Sequence, residues 1–264
     1  MADNGKDRGY KLSTALFFVL IIVVIVAGKL SQSNYTLSSL WIVILVAMLA
    51  FVVAIGFDLQ RHPLGILISE RNLMSLSRFQ LASWTILICS AFVTLGVTRV
   101  FATIEDPLAI TVPQQLWQIL GISFASTVGA SMVIRNKTRK EPAKKDEVME
   151  KVAKQVHEAK PTVEKNAQGL AYANESPSDA RITDMFEGDE LSNTAYIDIS
   201  KLQMFLFTVV ALIAYGVNIY QYMFDNTPEV FDTFPALSPG LVTVLGISHA
   251  AYLGSKSIDH TKHT

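Results

Sequence analysis

The residue types that carry most enzyme chemistry are present in this sequence, but they do not form a catalytic pattern. Its one cysteine, Cys89, excludes an intramolecular disulfide and a thiolate metal cluster. The five histidines lack the spacing of metal ligands, apart from His260 and His263 near the end. No phosphate-binding loop, nucleophile elbow or zinc-protease helix motif occurs. We therefore predict no catalytic residue, no cofactor and no metal site, and we expect that the chain is not an enzyme.

Mildly polar side chains inside long apolar runs are the first candidates for a functional site. Hydroxyls, an amide and an imidazole can line a pore that selects weakly, and they can equally hydrogen-bond between helices. The candidates for a pore or a polar bundle are Ser123, Thr127, Asn218, Ser248 and His249. No Asp or Glu lies within an apolar run, whereas coupled transporters usually place carboxylates inside the membrane. The pattern argues against proton- or sodium-coupled transport.

A basic run offers a second candidate site. Its six cationic residues are Arg135, Lys137, Arg139, Lys140, Lys144 and Lys145. Such a run can bind a nucleotide, an oligonucleotide or a cytoplasmic protein, and it can equally anchor the preceding apolar run at the membrane surface. No aromatic residue is interleaved for base stacking, and the formal net charge of the chain is -1. We expect no stable complex with duplex nucleic acid.

The elements that position these residues are membrane helices. The chain of 264 residues is 50% hydrophobic and only 17% charged, with a mean hydropathy of +0.35, which is typical of a protein in contact with lipid. Six runs are near the roughly 20 residues that a helix needs to cross a bilayer. They are 12–27, 40–57, 79–101, 116–134, 202–224 and 241–258, the last interrupted by His249 and Lys256. We predict an all-α polytopic membrane protein with six transmembrane helices.

The orientation follows from the lysines and arginines of the short loops. They cluster before the first span, after the second and after the fourth, whereas the intervening loops are poor in basic residues. Basic loops stay on the cytoplasmic side of a membrane. Both termini are therefore predicted to be cytoplasmic.

An internal repeat relates the third and fourth spans to the fifth and sixth. Residues 75–80, SLSRFQ, align with residues 198–203, DISKLQ, and the LGIS of residues 120–123 aligns with that of residues 245–248. Each unit has two spans, so both copies enter the membrane from the same side. The sequence predicts parallel repeats about an axis along the membrane normal.

The repeat gives matched positions a shared role. Small residues at a spacing of four let two helix backbones approach closely, which predicts tight packing of spans 4 and 6. These positions are Gly121, Ala125, Gly129, Gly246, Ala250 and Gly254. The polar helix starts can line a cytoplasmic entrance, or the serines can act as N-caps while the basic residues extend to the membrane surface. These positions are Ser77, Arg78, Gln80, Ser200, Lys201 and Gln203.

His249 breaks the symmetry, because Phe124 occupies the matching place in the first repeat. An imidazole in the middle of a membrane is costly unless it faces protein or water. We expect His249 to point into the bundle, with Ser123 or Thr127 as its partner. Its role is either pH-sensitive gating or packing.

Several blocks of the sequence resemble an uncharacterised family of bacterial inner-membrane proteins. They are SLSRFQLASWT, ITDMFEGDELSN, DISKLQMFLFT, FPALSPG and VLGISHAAYLGSK, which together cover residues 75–256. The resemblance rests on the serine–basic–aromatic or aliphatic–Gln helix start and on the LGISHAxYL pattern of the last span. It implies the bacterial inner membrane as the location and brings no activity with it. Some small bacterial membrane proteins of this build are similar to effectors of anti-phage defence.

Residues 135–200 form a cytoplasmic insertion between the repeats. A helix is expected over residues 146–160, stopped by Pro161, with a seam of Val148, Val152 and Val156 that fits a pairing partner. Residues 161–180 read as a linker, and residues 181–187 as a short amphipathic helix that Gly188 caps. With so few aromatic residues, little independent core is expected.

Four segments follow from these patterns: a two-span anchor over residues 1–58, a first repeat with its loop over 59–134, the insertion over 135–200 and a second repeat with a tail over 201–264. The leading hypothesis is a homo-oligomeric channel or membrane-perturbing effector that the insertion gates. The alternative is a membrane scaffold or sensor that recruits a cytoplasmic partner through the valine seam. A carrier or membrane enzyme ranks below both. We expect a symmetric dimer or tetramer in the lipid bilayer.

Overall fold

Apolar sequence and helix-forming composition give a mostly helical chain. The structure, a computed structural model, describes residues 10–33 and 35–262. The α-helices of these residues are α1 (Tyr10–Leu30), α2 (Leu37–Gln60), α3 (Leu76–Phe101), α4 (Gln114–Lys137), α5 (Lys145–Val156), α6 (Lys160–Asn166), α7 (Ile199–Asp225) and α8 (Pro239–Ser257). One short antiparallel hairpin, β1 (Ala167–Gln168) with β2 (Ala171–Tyr172), follows α6. His263 and the basic cluster before α1 lie outside the described side chains.

Within the described residues, five helices are long and apolar enough to cross a membrane: α1, α2, α3, α4 and α7. Large apolar side chains are exposed along them, including Phe18, Val46 and Val217, as expected of helices whose solvent is lipid. The sixth predicted span folds as α8, a helix of 19 residues, but it is not among the five. The chain thus has the apolar helices of a membrane protein, and the count of six spans stays a prediction.

The chain divides into two compact units, each built from discontinuous segments. The first unit comprises the residues up to Ile66, then Ala82–Leu120 and Val209–Val242. Its apolar cluster joins α1, α2 and α3 around Ala27, Leu40 and Ile44. A buried hydrogen bond from the Trp41 Nε1 to the Ser90 Oγ, 2.9 Å long, fixes α2 against α3. The hydroxyls of Thr94 and Thr98 donate to carbonyls one turn earlier in α3, so they are satisfied within their own helix.

A buried arginine orders the two loops of the first unit. The Arg99 guanidinium donates to the carbonyls of Pro107, at 3.1 Å, and Phe231, at 3.1 Å. The same loops pair directly, because the Thr111 amide donates to the Asp232 carbonyl at 2.7 Å. One side chain therefore satisfies carbonyls that irregular backbone would otherwise leave without partners.

The second unit contains the insertion and comprises Leu67–Leu81, Gly121–Thr208 and the residues from Thr243 onward. Contrary to expectation, the insertion packs around a hydrophobic core, to which Leu73 of the loop before α3 also contributes. Its buried residues are Leu73, Met149, Val152, Ala153, Val163, Tyr172 and Leu191. Val148 and Val156 pack against this core, so the valine seam is filled from within the chain.

The helix boundaries of the insertion also differ from the prediction. α5 ends at Val156, and His157 takes a left-handed conformation (φ 58°) as its C-cap. Pro161 does not stop a helix; it lies in the first turn of α6, where the missing amide of proline costs no hydrogen bond. The predicted linker over residues 161–180 folds as α6, the β1–β2 hairpin and a 3₁₀ turn at Pro177–Asp179.

The predicted helix over residues 181–187 is a 3₁₀ helix at Ile182–Met185, and Phe186 rather than Gly188 is its C-cap. Gly188 has a different reason to be glycine. A Cβ there would lie 2.3 Å from the Oδ1 of Asn193 and 2.4 Å from its backbone carbonyl oxygen. The absent side chain allows this close approach.

Candidate functional site: a buried charge cluster beside a cavity

Residues 187–191 carry two carboxylates into the interior of the second unit. They run beside β2: the Tyr172 amide donates to the Asp189 carbonyl at 3.1 Å, and the Leu191 amide donates to the Leu170 carbonyl at 2.9 Å. Successive side chains of an extended segment point to opposite faces. Asp189 and Glu190 therefore meet different partners.

Three cations surround the carboxylate of Asp189. The Arg71 Nη2 donates to Oδ1 at 2.5 Å and the Lys256 Nζ donates to Oδ2 at 2.5 Å, while the Lys201 Nζ lies 3.1 Å from Oδ2. Lys201 also donates to the Glu187 carbonyl at 2.5 Å. We refer to Arg71, Asp189, Lys201 and Lys256 as the Asp189 cluster. It joins the insertion to the start of α7, to the end of α8 and to the loop before α3.

The cluster holds more positive than negative charge. Its side chains are between 5% and 10% exposed. Burial alone would raise the pKa of the Asp189 carboxyl, but the charges of Lys201, Lys256 and Arg71 hold that pKa well below its ordinary value. Asp189 is thus ionised at neutral pH, and one negative charge faces three cationic side chains.

Glu190 binds the segment that follows α8. One carboxylate oxygen accepts the Lys137 Nζ and, at 3.0 Å, the His260 amide, while the other accepts the Thr261 amide at 2.5 Å. Lys137 also donates to the Ile258 carbonyl at 2.7 Å. The Glu190 side chain is fully buried, so this carboxylate fixes the C-terminal segment against the end of α4.

A cavity of about 420 Å³ lies beside the Asp189 cluster. Its wall is formed by the loop before α3, the first turn of α3, the last turns of α4 and the ends of α7 and α8 that carry Lys201 and Lys256. The charged side chains of the wall are five cations and three carboxylates: Arg71, Arg78, Arg135, Lys201, Lys256, Glu70, Asp184 and Asp189. Within the described chain, no group of three or more His, Cys, Asp or Glu could hold a metal ion.

The residues predicted for a polar bundle are only partly brought together. His249 is buried, and its Nδ1 lies 2.8 Å from the Ser126 Oγ, so it faces protein as expected but with Ser126 in place of Ser123 or Thr127. The Thr127 hydroxyl instead donates to the carbonyls of Ser77 and Ser123. This geometry fits a packing role and leaves the gating role as a prediction.

The other members of that group have different surroundings. The hydroxyls of Ser123 and Ser248 are buried and have no hydrogen-bond partner within the described residues. Asn218 is exposed on α7 and belongs to the first unit. The face of α7 that packs inward carries Tyr215 and Ile219 instead.

The helix starts are capped earlier than predicted. α3 and α7 begin after Ser75 and Asp198, and the Asp198 Oδ1 accepts the Ser200 amide at 3.0 Å. Ser77 and Ser200 thus lie inside the first helical turns and are not N-caps.

The remaining polar residues of the predicted entrance bind within the protein or face outward. Lys201 is buried in the Asp189 cluster, and Arg78 donates to the Ile68 carbonyl and to Glu70, so both side chains bind within the protein. Gln80 is fully buried, and its Nε2 donates to the Thr208 Oγ1 at 2.5 Å. Gln203 is exposed. The two glutamines therefore do not share one entrance.

The stripes of small residues pack only at some positions. A Cβ at Gly129 would lie 3.3 Å from Leu253, and one at Gly246 would lie 3.7 Å from Ile122, so α4 and α8 are close at these points. A Cβ at Gly121 or Gly254 would have no neighbour within 4 Å. Ala125 and Ala250 are exposed. α4 and α8 therefore approach each other at the inner edge of each stripe, and the outer edge is open.

The basic run is dispersed. Arg135 lies in the cavity wall, Lys137 binds Glu190, Lys140 pairs with Asp259 and Lys144 pairs with Glu147. Arg139 and Lys145 are exposed. The six side chains therefore do not form one binding surface. Lys137 and Lys140 instead hold the segment that follows α8.

Sequence reasoning missed the Asp189 cluster. The sequence places Arg71 only in the basic loop after the second apolar run, and the amphipathic helix predicted over residues 181–187 ends before Asp189. One sequence feature could have indicated the cluster. Asp189 and Glu190 are adjacent carboxylates, and they lie in an acidic segment that follows a strongly basic one. Buried carboxylates need cationic partners.

Comparisons with known proteins give no information on the family or the function of this chain. A scan against protein-family models, a search of curated proteins and a search of solved structures find no match for this chain.

Proposed function

We propose that this chain is a subunit of a homo-oligomeric membrane channel, or of a membrane-perturbing effector, that is controlled through its insertion. The observation that carries the proposal is the Asp189 cluster. One buried carboxylate of the insertion binds cations at the start of α7 and at the end of α8. A change in the insertion that moves Asp189 therefore acts directly on two helix ends.

The character of the apolar helices supports a permeation role over coupled transport. Their buried polar groups are mainly hydroxyls, and those of Ser123 and Ser248 have no hydrogen-bond partner within the described residues. Such groups can line a weakly selective path. Coupled transporters rely on carboxylates inside the membrane.

The proposed topology places α8 as a sixth span, with both termini in the cytoplasm of a bacterium and the apolar helices in its inner membrane. The parallel repeat is part of this proposal. Ser75 and Asp198 both precede a long helix, and the matched hydroxyls of Ser123 and Ser248 are both buried without a partner in the described chain. We also propose that the chain belongs to the family that its sequence resembles and that it acts in anti-phage defence.

The alternative function, a scaffold that recruits a partner through the valine seam, loses the surface on which it rested. Val152 is 1% exposed, and Val148 and Val156 pack on the same core. Recruitment would have to use another face of the chain. A carrier or membrane enzyme ranks below both.

Ion flux through liposomes tests the proposal. The purified chain is reconstituted in liposomes that contain a potassium-sensitive dye, and potassium efflux is compared with that of protein-free liposomes. The proposal predicts efflux that rises with the ratio of protein to lipid more steeply than linearly, because several subunits form one path. Efflux equal to that of protein-free liposomes, at every ratio and with every added ligand, would exclude a channel or a membrane-perturbing effector.

A further inference from the structure

The cavity beside the Asp189 cluster has the size of a ligand site. Its volume of about 420 Å³ lies within the range of roughly 300–1,000 Å³ typical of small-molecule pockets. Three cations of its wall, Arg71, Lys201 and Lys256, are at most 8% exposed. The wall is thus a built arrangement of buried charge and not a group of surface lysines.

The charge of the wall is unbalanced. Five cationic side chains face three carboxylates. One of these carboxylates, Asp184, is half-buried, and burial raises the pKa of its carboxyl. Buried charge without a counter-charge is costly. An anion with about two negative charges would balance the wall.

Two further features of the wall suit an anion. The first turn of α3, from Leu76 to Arg78, lines the cavity, and the first amides of a helix have no partner inside the helix. Arg135 also lines the cavity, and within the described residues its guanidinium takes part in no hydrogen bond or ion pair with the chain. A free guanidinium presents paired N–H groups that match the oxygens of a phosphate.

We propose that this cavity binds the phosphate group of an anionic ligand, either a soluble phosphate compound or the headgroup of a lipid with a terminal phosphate. A phosphate monoester carries about -1.5 to -2 charges at pH 7, which matches the excess of the wall, whereas a carboxylate carries only one. The bound phosphate competes with Asp189 for Arg71, Lys201 and Lys256. Binding thereby loosens the joint between the insertion and the helix ends, so as a means of regulation the inference rests on the proposed function.

Binding is measured separately from flux, with two matched arginine variants. Arg135→Gln removes a cation from the cavity wall, and Arg139→Gln removes one of the same basic run that lies outside the wall. Both side chains are exposed, so both variants should fold. Inorganic phosphate is titrated by calorimetry onto the full chain in nanodiscs of phosphatidylcholine. We expect binding that Arg135→Gln weakens at least about tenfold, the effect of about 1.4 kcal/mol, and that Arg139→Gln changes less than about twofold.

A second arm separates the two sources of phosphate. Nanodiscs that contain phosphatidic acid are compared with pure phosphatidylcholine for lipid retained by the purified chain. Phosphate binding in pure phosphatidylcholine supports a soluble ligand, and retention of phosphatidic acid that Arg135→Gln abolishes supports a lipid headgroup. Absence of both, or an equal loss with Arg139→Gln, would overturn the site. Binding without any ion flux would contradict the proposed function and leave the site intact.

Discussion

At the scale of single residues, Asp189 is the buried carboxylate that contacts three cationic side chains of the second unit. Its two oxygens form ion pairs with three cations that come from separate parts of the chain. Removing one partner of a buried ion pair is far more costly than removing an exposed one, because the remaining charges stay desolvated. The stability of the second unit should therefore depend on this carboxylate.

Asp189→Asn should lower the free energy of unfolding by about 3–5 kcal/mol at neutral pH, because it leaves three buried cations without their counter-charge. The control Glu147→Gln removes an exposed carboxylate of α5 and should change stability by less than about 1 kcal/mol. Denaturant unfolding in detergent, followed by tryptophan fluorescence, measures both. Equal stability of the two variants would show that Asp189 does not hold the cluster together.

The pH dependence of that difference has a defined sign. The pKa of Asp189 is lowered in the folded chain, so its contribution is complete above the ordinary pKa of an aspartate, about 3.9. The contribution declines as the pH falls below that value toward the pKa of the folded state. The stability gap between the wild-type chain and Asp189→Asn should thus be constant from pH 7 to about pH 5 and shrink in stronger acid. A gap that widens on acidification would contradict this assignment.

Alanine substitution at two glycines should change the stability of the chain in opposite directions. Gly188→Ala should destabilise the chain by about 1–3 kcal/mol, since its Cβ would lie within 2.4 Å of Asn193 atoms. Gly254→Ala in α8 meets no atom within 4 Å and should be neutral or stabilising by up to about 1 kcal/mol, because alanine favours a helix. Thermal unfolding in the same detergent compares them. A larger loss for Gly254→Ala would mean that its open face is packed in the functional assembly.

The sequence could predict the burial of a polar side chain, but it could not predict that side chain's partners. The burial of His249 followed from the cost of an imidazole in an apolar helix, and the structure places it inside. Its partner did not follow, because the rotation of α8 against α4 decides between Ser123, Ser126 and Thr127. The partners of Asp189 lie between 12 and 118 positions away along the chain, a separation that no local pattern encodes.

At the scale of elements, long apolar runs predicted the long helices well, whereas the structure of the insertion was predicted poorly. Apolar runs of sufficient length can only be helical in lipid, and all six predicted runs fold as helices, α1–α4, α7 and α8. The insertion builds its core from α5, α6, β2 and a loop residue, Leu73, that lies outside it. Because Leu73 comes from outside the insertion, the number of apolar residues within the insertion could not predict this core.

The core of the insertion can be tested within α5. Met149 is 1% exposed and belongs to that core, so Met149→Ala should cost about 2–5 kcal/mol. Glu150→Ala, at the neighbouring position, removes a side chain that is 64% exposed and should cost less than about 1 kcal/mol. Hydrogen exchange of the insertion reports both effects. Equal protection in the two variants would indicate that α5 is stabilised by a partner and not by this core.

At the scale of the whole molecule, the outward faces of α4 and α8 are candidate contacts of the proposed oligomer. Gly121, Ala125, Ala250 and Gly254 form the open edges of the small-residue stripes. Phe124 and Ile247 are exposed beside them. Such faces are covered by lipid or by another helix, and a symmetric oligomer repeats any such contact in every subunit.

Chemical cross-linking of the chain in nanodiscs checks the assembly. We expect a discrete dimer or tetramer whose yield does not fall when the protein is diluted with excess lipid discs. A monomer alone, with a cross-linker that reacts with exposed lysines such as Lys145 and Lys151, would contradict the oligomer.

Control of membrane permeability by the insertion is the central claim, and potassium efflux from liposomes that hold Asp189→Asn tests it most directly. The wild-type chain and Glu147→Gln provide the references, and all three proteins are matched for oligomeric state before reconstitution. Because Asp189→Asn frees Lys201 and Lys256 at the ends of α7 and α8, it should raise basal efflux severalfold and make efflux insensitive to added phosphate. Efflux identical to that of the wild-type chain, from a folded and correctly assembled Asp189→Asn protein, would contradict control through the insertion.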